Sequence, residues 1–440
     1  MVLSRIGLKN FRCIRVADLD LSPLTILYGE NGAGKSSIIE GLQLLKQSVN
    51  ERMNFAGRDF RDPQMPTTGL DFGEYYDVVR NNAEREWVTF VIETKPIRNE
   101  LDELNKVITR IRNVSVNPLS QNLLRTKDRL GLSVSFRKQE IRQSVLVNSK
   151  AVETVEYVQI GPNGYTSRIT CPEALTDKPR QRQGNEVLDS GVFQTASGHE
   201  EIDVIGSLSA NIIQIFQARL QNTYLLSASR GDIPRRGVVR EKPDWVGIKG
   251  EHIVELLSLI FSMSRSEYAE TADKIKAWAE RFQIKDLYAG WIGEEGLKAS
   301  FRDPRLPEAR PNLADAGRGS RQVLSLITQI FFSKRGSTLL IEEPEASLHF
   351  GLLIDLMELF GEAIKEGKQI IITTHSPSIP SVLKRCIRSK ILKAKDVTVY
   401  ELRKGEDGST RKRLRLTEEG IIKGFIPSIA KAEKALLEEY

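Results

Sequence analysis

Eight consecutive residues, Gly29, Glu30, Asn31, Gly32, Ala33, Gly34, Lys35 and Ser36, fit the pattern G-x-x-x-x-G-K-[ST]. Glycines at this spacing let backbone N–H groups wrap a run of phosphates without Cβ clashes. A helix that begins where the loop ends adds positive potential, and Lys35 reaches the β- and γ-phosphates. Ser36 supplies a hydroxyl ligand to Mg²⁺, and the segment through Ser37 is a candidate ATP site.

A second group lies far along the chain. Thr338-Leu339-Leu340-Ile341-Glu342-Glu343-Pro344 is an apolar strand that ends in two acids. Successive side chains at a strand end point in opposite directions, so the two can do different jobs. Glu342 is assigned to the Mg²⁺ sphere, through water, and Glu343 to polarising the attacking water, because phosphoryl transfer is mostly positioning and charge stabilisation. Two acids after a strand carry little information alone; a phosphate loop 307 residues upstream (342 − 35) makes the pair specific. A further apolar run, 370–372, delivers Thr373, Thr374 and His375, a histidine at the strand end where ligands bind in open α/β sheets. We assign it to sensing the γ-phosphate.

These residues need strands and helices to hold them. Strands are expected at 2–8, 17–20 and 24–28, and a helix over 34–46 whose Ile38, Ile39, Leu42 and Leu45 share a buried face. Another strand spans 87–94. Ile97, Leu101, Leu104, Ile108 and Ile111 then repeat at 4-3-4-3 spacing, which is too short for a coiled-coil arm and fits an amphipathic helix packed on its own domain. Short β-rich runs follow at 132–136, 145–147 and 155–160, with a polar, glycine-bearing loop expected at about 177–200. Helical patterns cover 253–260 and 268–282, a Gly/Pro/Arg-rich loop 227–250, and Pro304, Pro307 and Pro311 mark a connector before a helix from about Arg321. Strand 338–342, helix 351–364 and strand 369–373 give the βαβ signal of a parallel sheet.

The phosphate loop, Glu342-Glu343 and His375, in this order and separated by a long insertion, resemble the ABC-type ATPase heads of the SMC, RecF and OLD-like group. Glu342-Glu343-Pro344-Glu345-Ala346-Ser347-Leu348-His349 is similar to the OLD-like branch in particular. Residues 42–48, 69–73 and 246–251 also look like stretches of stand-alone prokaryotic members. The resemblance implies a signature loop at 316–322, in which Gly317, Gly319 and Ser320 reach the γ-phosphate held by a partner subunit. That loop departs from LSGGQ, and which of the three makes the contact stays open. The implied D-loop, 346–349, has His349 in place of the usual Asp. Gln47, Gln214 and Gln217 all remain candidates for the Q-loop glutamine.

Composition excludes several classes. The 440 residues are 40% hydrophobic and 28% charged, an ordinary globular balance. They contain no run of about 18 apolar residues, so no membrane role is expected. The opening lacks the apolar core of a secretory signal, which makes the cytoplasm the expected location. Cys13, Cys171 and Cys386 are odd in number and far apart, giving neither a disulfide framework nor a zinc site. After His375 there is no D-x-D to hold nuclease metals; the one such motif, Asp18-Leu19-Asp20, reads as strand-end surface, and the four histidines are never adjacent.

The net charge of +6 is concentrated. Between Lys384 and Arg415 twelve bases face four acids, a local +8. A hairpin is expected around Gly405-Glu406-Asp407-Gly408, with Arg411, Arg413 and Arg415 on one strand face; those three either grip DNA phosphates or form a solvated basic face. Arg230, Arg235 and Arg236 form a second candidate patch.

The expected fold is thus α/β, a P-loop NTPase of the ABC-type head kind with mixed parallel and antiparallel sheets and a mixed β/helical insertion. Its expected divisions are 1–95 (N-terminal ATPase lobe), 96–205 (insertion), 206–390 (helical subdomain and C-terminal lobe) and 391–440 (basic extension). The expected function is ATP hydrolysis with Mg²⁺, dimerisation of two heads through their ATP sites, and action on DNA or on a separate effector such as a nuclease, in genome maintenance or anti-phage defence. A non-hydrolysing ATP sensor and a transporter-type subunit are the rival readings.

Overall fold

In the computed structural model the described residues are 3–50, 70, 72–73, 75–82, 86–112, 123–137, 140–159, 165–170, 183–186, 200–238, 243–262, 267–291, 296–302 and 308–424. The chain opens with β1 (Arg5–Phe11), β2 (Ile14–Asp20), β3 (Leu24–Gly29) and α1 (Lys35–Asn50). Then come β4 (Val88–Thr94), α2 (Arg98–Arg112), β5 (Leu130–Arg137), β6 (Glu140–Val147), β7 (Lys150–Gln159), β8 (Tyr165–Thr170) and β9 (Gln183–Glu186). The second half holds α3 (Glu200–Gln221), β10 (Thr223–Leu226), α4 (Ile253–Ser262), α5 (Ala269–Arg281), β11 (Lys285–Trp291), β12 (Leu297–Arg302) and α6 (Arg318–Phe332). It ends with β13 (Thr338–Glu342), α7 (Leu353–Lys365), β14 (Gln369–Thr374), α8 (Ile379–Arg388), β15 (Val397–Gly405), β16 (Gly408–Leu416) and β17 (Ile422–Lys423).

Two compact units divide these elements. The first comprises Met1–Leu21, Ser36–Thr223 and Arg403–Thr410. Its strands run β2-β1-β4-β5-β6-β7-β8-β9, every pair antiparallel. Helix α1 lies close on this sheet because position 41 is glycine: a Cβ there would stand 2.9 Å from Leu8 and 3.2 Å from Phe90. The expected amphipathic helix forms within its own unit over the 4-3-4-3 seam from Leu101 onward, whereas Ile97 precedes the helix and is exposed. Leu101, Leu104 and Ile108 are buried, α2 contacts α3, and Arg219 bonds Glu100 at 2.8 Å. The loop expected at 177–200 needs correction: β9 stands inside it, paired with β8 from Tyr165↔Glu186 to Arg168↔Gln183. Its residues, Gln-Gly-Asn-Glu, carry no apolar alternation, so pairing rather than side-chain pattern makes it a strand.

The second unit comprises Ser22–Lys35, Tyr224–Leu402 and Arg411–Tyr440. Its central strands lie in the order β10-β13-β14-β3-β15, with β13, β14, β3 and β15 parallel. Strands β3, β13 and β14 are apolar runs buried on both faces, the pattern a covered parallel sheet demands, while β15 is buried over its first six residues and exposes Arg403 and Lys404. Helix α7 connects β13 to β14, and α6 begins at Arg318, three residues before the position expected from sequence. Among the described residues no helix is long and apolar enough to cross a membrane. The fold is mixed α/β, with parallel and antiparallel strands flanked by helices.

Candidate nucleotide site

Strand β3 delivers the glycine-rich loop. Gly29 is required by a close approach, since a Cβ there would lie 2.4 Å from the Leu402 carbonyl oxygen. Gly32 and Gly34 turn the loop with φ of 77° and 91°, a region that L side chains rarely adopt. Ala33 N–H donates to Glu30 O at 3.2 Å, and Glu30, Asn31 and Gly32 form the exposed lip. Lys35 is buried, and its Nζ donates to Gly29 O at 2.8 Å and Glu30 O at 2.9 Å. Burial pushes its pKa down, against the carboxylates of Glu343, Glu345, Glu342 and Glu30, which push it up. Ser36, one residue on, is exposed, whereas Ser37 is buried with its hydroxyl 3.4 Å from Cys13 Sγ.

The parallel register brings the ends of β13 and β14 to this loop: Glu342 lies opposite Thr373, and Thr374 opposite Tyr28. The two acids part as the strand ends. Glu342 Oε2 accepts from Ala228 N–H at 3.4 Å, while Glu343, at φ 42°, turns its Oε1 to 2.8 Å from His375 Nδ1. Glu343 N–H bonds Thr373 O at 2.9 Å, and Tyr28 OH donates to His375 O at 3.3 Å, which fix the two turns against each other. A third acid joins them. Glu345 accepts from the Thr374 hydroxyl, and burial pushes its pKa up against that bond.

Gly317 caps α6, and Arg321 N–H bonds its carbonyl at 3.1 Å. Gly319 lies against the residues after β13, where a Cβ would be 2.4 Å from Ser347 O; Ser320, next to it, is half-buried. His349 is exposed, and its Nδ1 accepts from Gly351 N–H at 3.2 Å, so the histidine at this place caps the turn before α7. Gln47 is buried and bonds both backbone groups of Leu70, at 2.9 and 3.1 Å; Gln214 is exposed and Gln217 half-buried. Gly69 and Asp71 lie outside the described residues, as do Pro304 and Pro307.

One sequence assignment is overturned. Arg230 is not a surface partner of Arg235 and Arg236: it is 1% exposed, and its guanidinium bonds backbone carbonyls around the end of β13. Arg235 is exposed and paired with Asp315. The readable signal was the small-residue setting Ala228-Ser229-Arg230-Gly231 directly after the buried strand β10, where a solvated arginine has little room.

Arg411, Arg413 and Arg415 are all exposed on β16. Lys412 is exposed as well, so this part of the strand is open on both faces, and only Leu414 turns inward. Arg413 and Arg415 line a surface notch of about 410 Å³ with Lys395, Val397 and Thr398.

Two family models match the chain: "AAA ATPase domain" over residues 1–156, and "AAA domain, putative AbiEii toxin, Type IV TA system" over residues 248–380. The chain is 43% identical over 63 residues to an OLD nuclease of Thermus scotoductus, 14% of this chain and 11% of that protein. It is 31% identical over 86 residues to a DNA replication and repair protein RecF of Saccharophagus degradans, 19% of this chain and 23% of that protein. The matches thus span from about a tenth to a quarter of those relatives. Solved structures aligned to it include an SMC head bound to the C-winged helix domain of ScpA (13% identity, TM-score 0.46, covering 95% of this chain and 99% of that one). An SMC head domain from Thermotoga maritima aligns at 12% identity and TM-score 0.39, covering 94% of this chain and 100% of that one. The family matches fall on the two stretches that carry the phosphate loop and the diacid strand, and over those stretches the chain is similar to AAA ATPase domains.

Proposed function

We propose that the chain binds and hydrolyses ATP, that two heads close on each other through their ATP sites, and that closure acts on DNA or on a separate effector protein. The observation that carries this reading is the Glu343–His375 bond at 2.8 Å, formed beside Lys35 where β3, β13 and β14 end together. Gly29, Glu30, Asn31, Gly32, Ala33, Gly34 and Lys35, with Ser36 and Ser37, cradle the triphosphate. The Lys35 ammonium, which bonds loop carbonyls, exchanges them for phosphate oxygens. Ser36 and Glu342 are oxygen donors of the kind that would hold Mg²⁺, which would supply neutralisation of the charge developing in transfer.

Glu343 orients the attacking water and takes its proton; His375, held by Glu343 and by its own carbonyl's bond to Tyr28, senses the γ-phosphate. Gly317, Gly319 and Ser320 open α6, a helix N-terminus suited to the γ-phosphate of a partner head. Arg411, Arg413 and Arg415 are the candidate DNA contacts. Genome maintenance or anti-phage defence is the setting proposed for this chain.

The test is Glu343→Gln. It should retain ATP yet hydrolyse it at least about a hundredfold more slowly, the size of a general-base contribution. The variant should accumulate as an ATP-dependent dimer in sedimentation. Unchanged hydrolysis would remove Glu343 from its role, and unchanged mass with ATP would remove the closure model.

A further inference from the structure

Arginine presents five N–H donors in a rigid fork and is rarely buried without a carboxylate to receive them. Arg230 breaks that habit. One terminal nitrogen donates to Ser227 O at 3.1 Å and Glu342 O at 2.6 Å; the other donates to Glu343 O and Pro344 O, both at 2.9 Å. Four backbone carbonyls, three of them consecutive, thus converge on one buried cation. Burial pushes its pKa down to about 10, with Glu345, Glu342 and Glu343 as the opposing charges. Burying a charge against carbonyl dipoles alone is costly, and what the arrangement secures is a backbone that needs holding: Glu343 sits at φ 42°, sparsely populated for a side chain of its kind.

The other side of the same segment touches α6. Gln322 Nε2 donates to Ala228 O at 3.1 Å. A Cβ on Gly231, at φ 99°, would come within 3.0 Å of Gln322 and 3.2 Å of Arg321, so the backbone beside Arg230 lies flush on that helix. Ala228 also donates its N–H to Glu342. Residues 227–231 are therefore bonded at one side to the first turns of α6, which carry Gly319 and Ser320, and at the other to the backbone that aims Glu343.

We infer that Arg230 is a positioning residue for ATP hydrolysis: it sets Glu343 through the 342–344 carbonyls and relays the position of α6 to it. This rests on the ATPase reading above. Lysine cannot substitute, because a single ammonium does not span four carbonyls that a planar fork meets together.

The experiment uses the full chain with Arg230→Lys, Arg230→Ala and the double variant Arg230→Lys/Glu343→Gln. Equilibrium ATP binding, single-turnover hydrolysis and thermal melting are measured on each. Arg230→Lys should bind ATP within about twofold of wild type and hydrolyse it on the order of a hundredfold more slowly, as expected when a catalytic group is misplaced by about 1 Å. Millimolar guanidinium should restore part of the rate in Arg230→Ala, and equal methylammonium should not. The double variant should be no slower than Glu343→Gln alone, since Arg230 acts through that residue. Full-rate hydrolysis by Arg230→Lys overturns the inference, as does a further rate loss in the double variant. Loss of ATP binding in step with melting temperature would reduce Arg230 to a structural role and also overturn it. Should Arg230→Ala fail to fold, the lysine variant decides alone. A wild-type chain without hydrolysis would sink the ATPase reading instead, so the two failures are distinct.

Discussion

Gly319 and Gly317 stand two residues apart at the start of α6, and the fold treats them differently. A Cβ on Gly319 would sit 2.4 Å from the Ser347 carbonyl oxygen, and ordinary contact begins at 3.4 Å, so Gly319→Ala must part the two backbones by about 1 Å (3.4 − 2.4). Neither side is a flexible side-chain tip that can swing away. Overpacking of this kind costs about 1–3 kcal/mol, and at roughly 2–4 °C per kcal/mol the melting temperature should fall by about 2–12 °C. The displaced residues lead on one side to Ser320 and on the other back to Glu343, so hydrolysis should also fall, by on the order of a hundredfold. Gly317→Ser is the matched control. A Cβ there meets nothing within 4 Å, φ is −53°, and serine is a favoured cap, so its melting temperature should hold or rise slightly. Differential scanning fluorimetry and a phosphate-release assay on both variants decide the matter. A Gly319→Ala chain that melts and turns over like wild type would refute the claimed contact.

The basic strand and the helix packing give two further expectations. Changing Arg411, Arg413 and Arg415 together to Ser should leave ATP binding intact and shallow the log–log salt dependence of DNA binding by up to roughly 2–3 units, at about 0.9 per phosphate contact. Salt-titrated anisotropy on two unrelated duplexes reads it, and an unchanged slope would make the arginines solvated charge. Burial raises the Glu366 pKa, but bonds from Lys274, at 2.7 Å, and from Lys368 overcome this and leave it lowered. A lowered carboxylate contributes stability above the ordinary carboxylate range and loses it as pH falls through the folded value. Glu366→Gln should therefore cost about 1 kcal/mol near pH 7 and nothing once wild-type Glu366 is protonated; urea melts across pH 2–8 showing a constant difference would contradict that.

Much of the candidate site was legible because its strands carry unusual information. Strands β3, β13 and β14 are buried on both faces, so their apolar runs stand out, and each ends in residues whose chemistry is unmistakable. Other elements lacked such a signature. Strand β10 has four residues, and the β11–β12 hairpin exposes Tyr288 and Trp291, which blurs its alternation. Arg230 was misread for a different reason. Three of its four partners are backbone carbonyls more than a hundred positions away, and a carbonyl has no letter in the sequence. The separation of Glu342 from Glu343 was expected from strand alternation alone, whereas a left-handed turn at Glu343 accompanies it.

The order of the central strands also sets a timetable for synthesis. Leu24 pairs with Ile370 on one side and Val397 on the other, so the strand that bears the phosphate loop has no neighbours until 346 more residues (370 − 24) have been made. At about 5–20 residues per second that is roughly 20–70 s on the ribosome. Throughout it Leu-Thr-Ile-Leu-Tyr, an apolar stretch of high strand propensity, waits unpaired in the nascent chain. The protein thus makes its glycine-rich loop almost first and completes the sheet around it almost last: a truncated product ending before β14 would carry every residue of that loop with neither of the strands that flank β3.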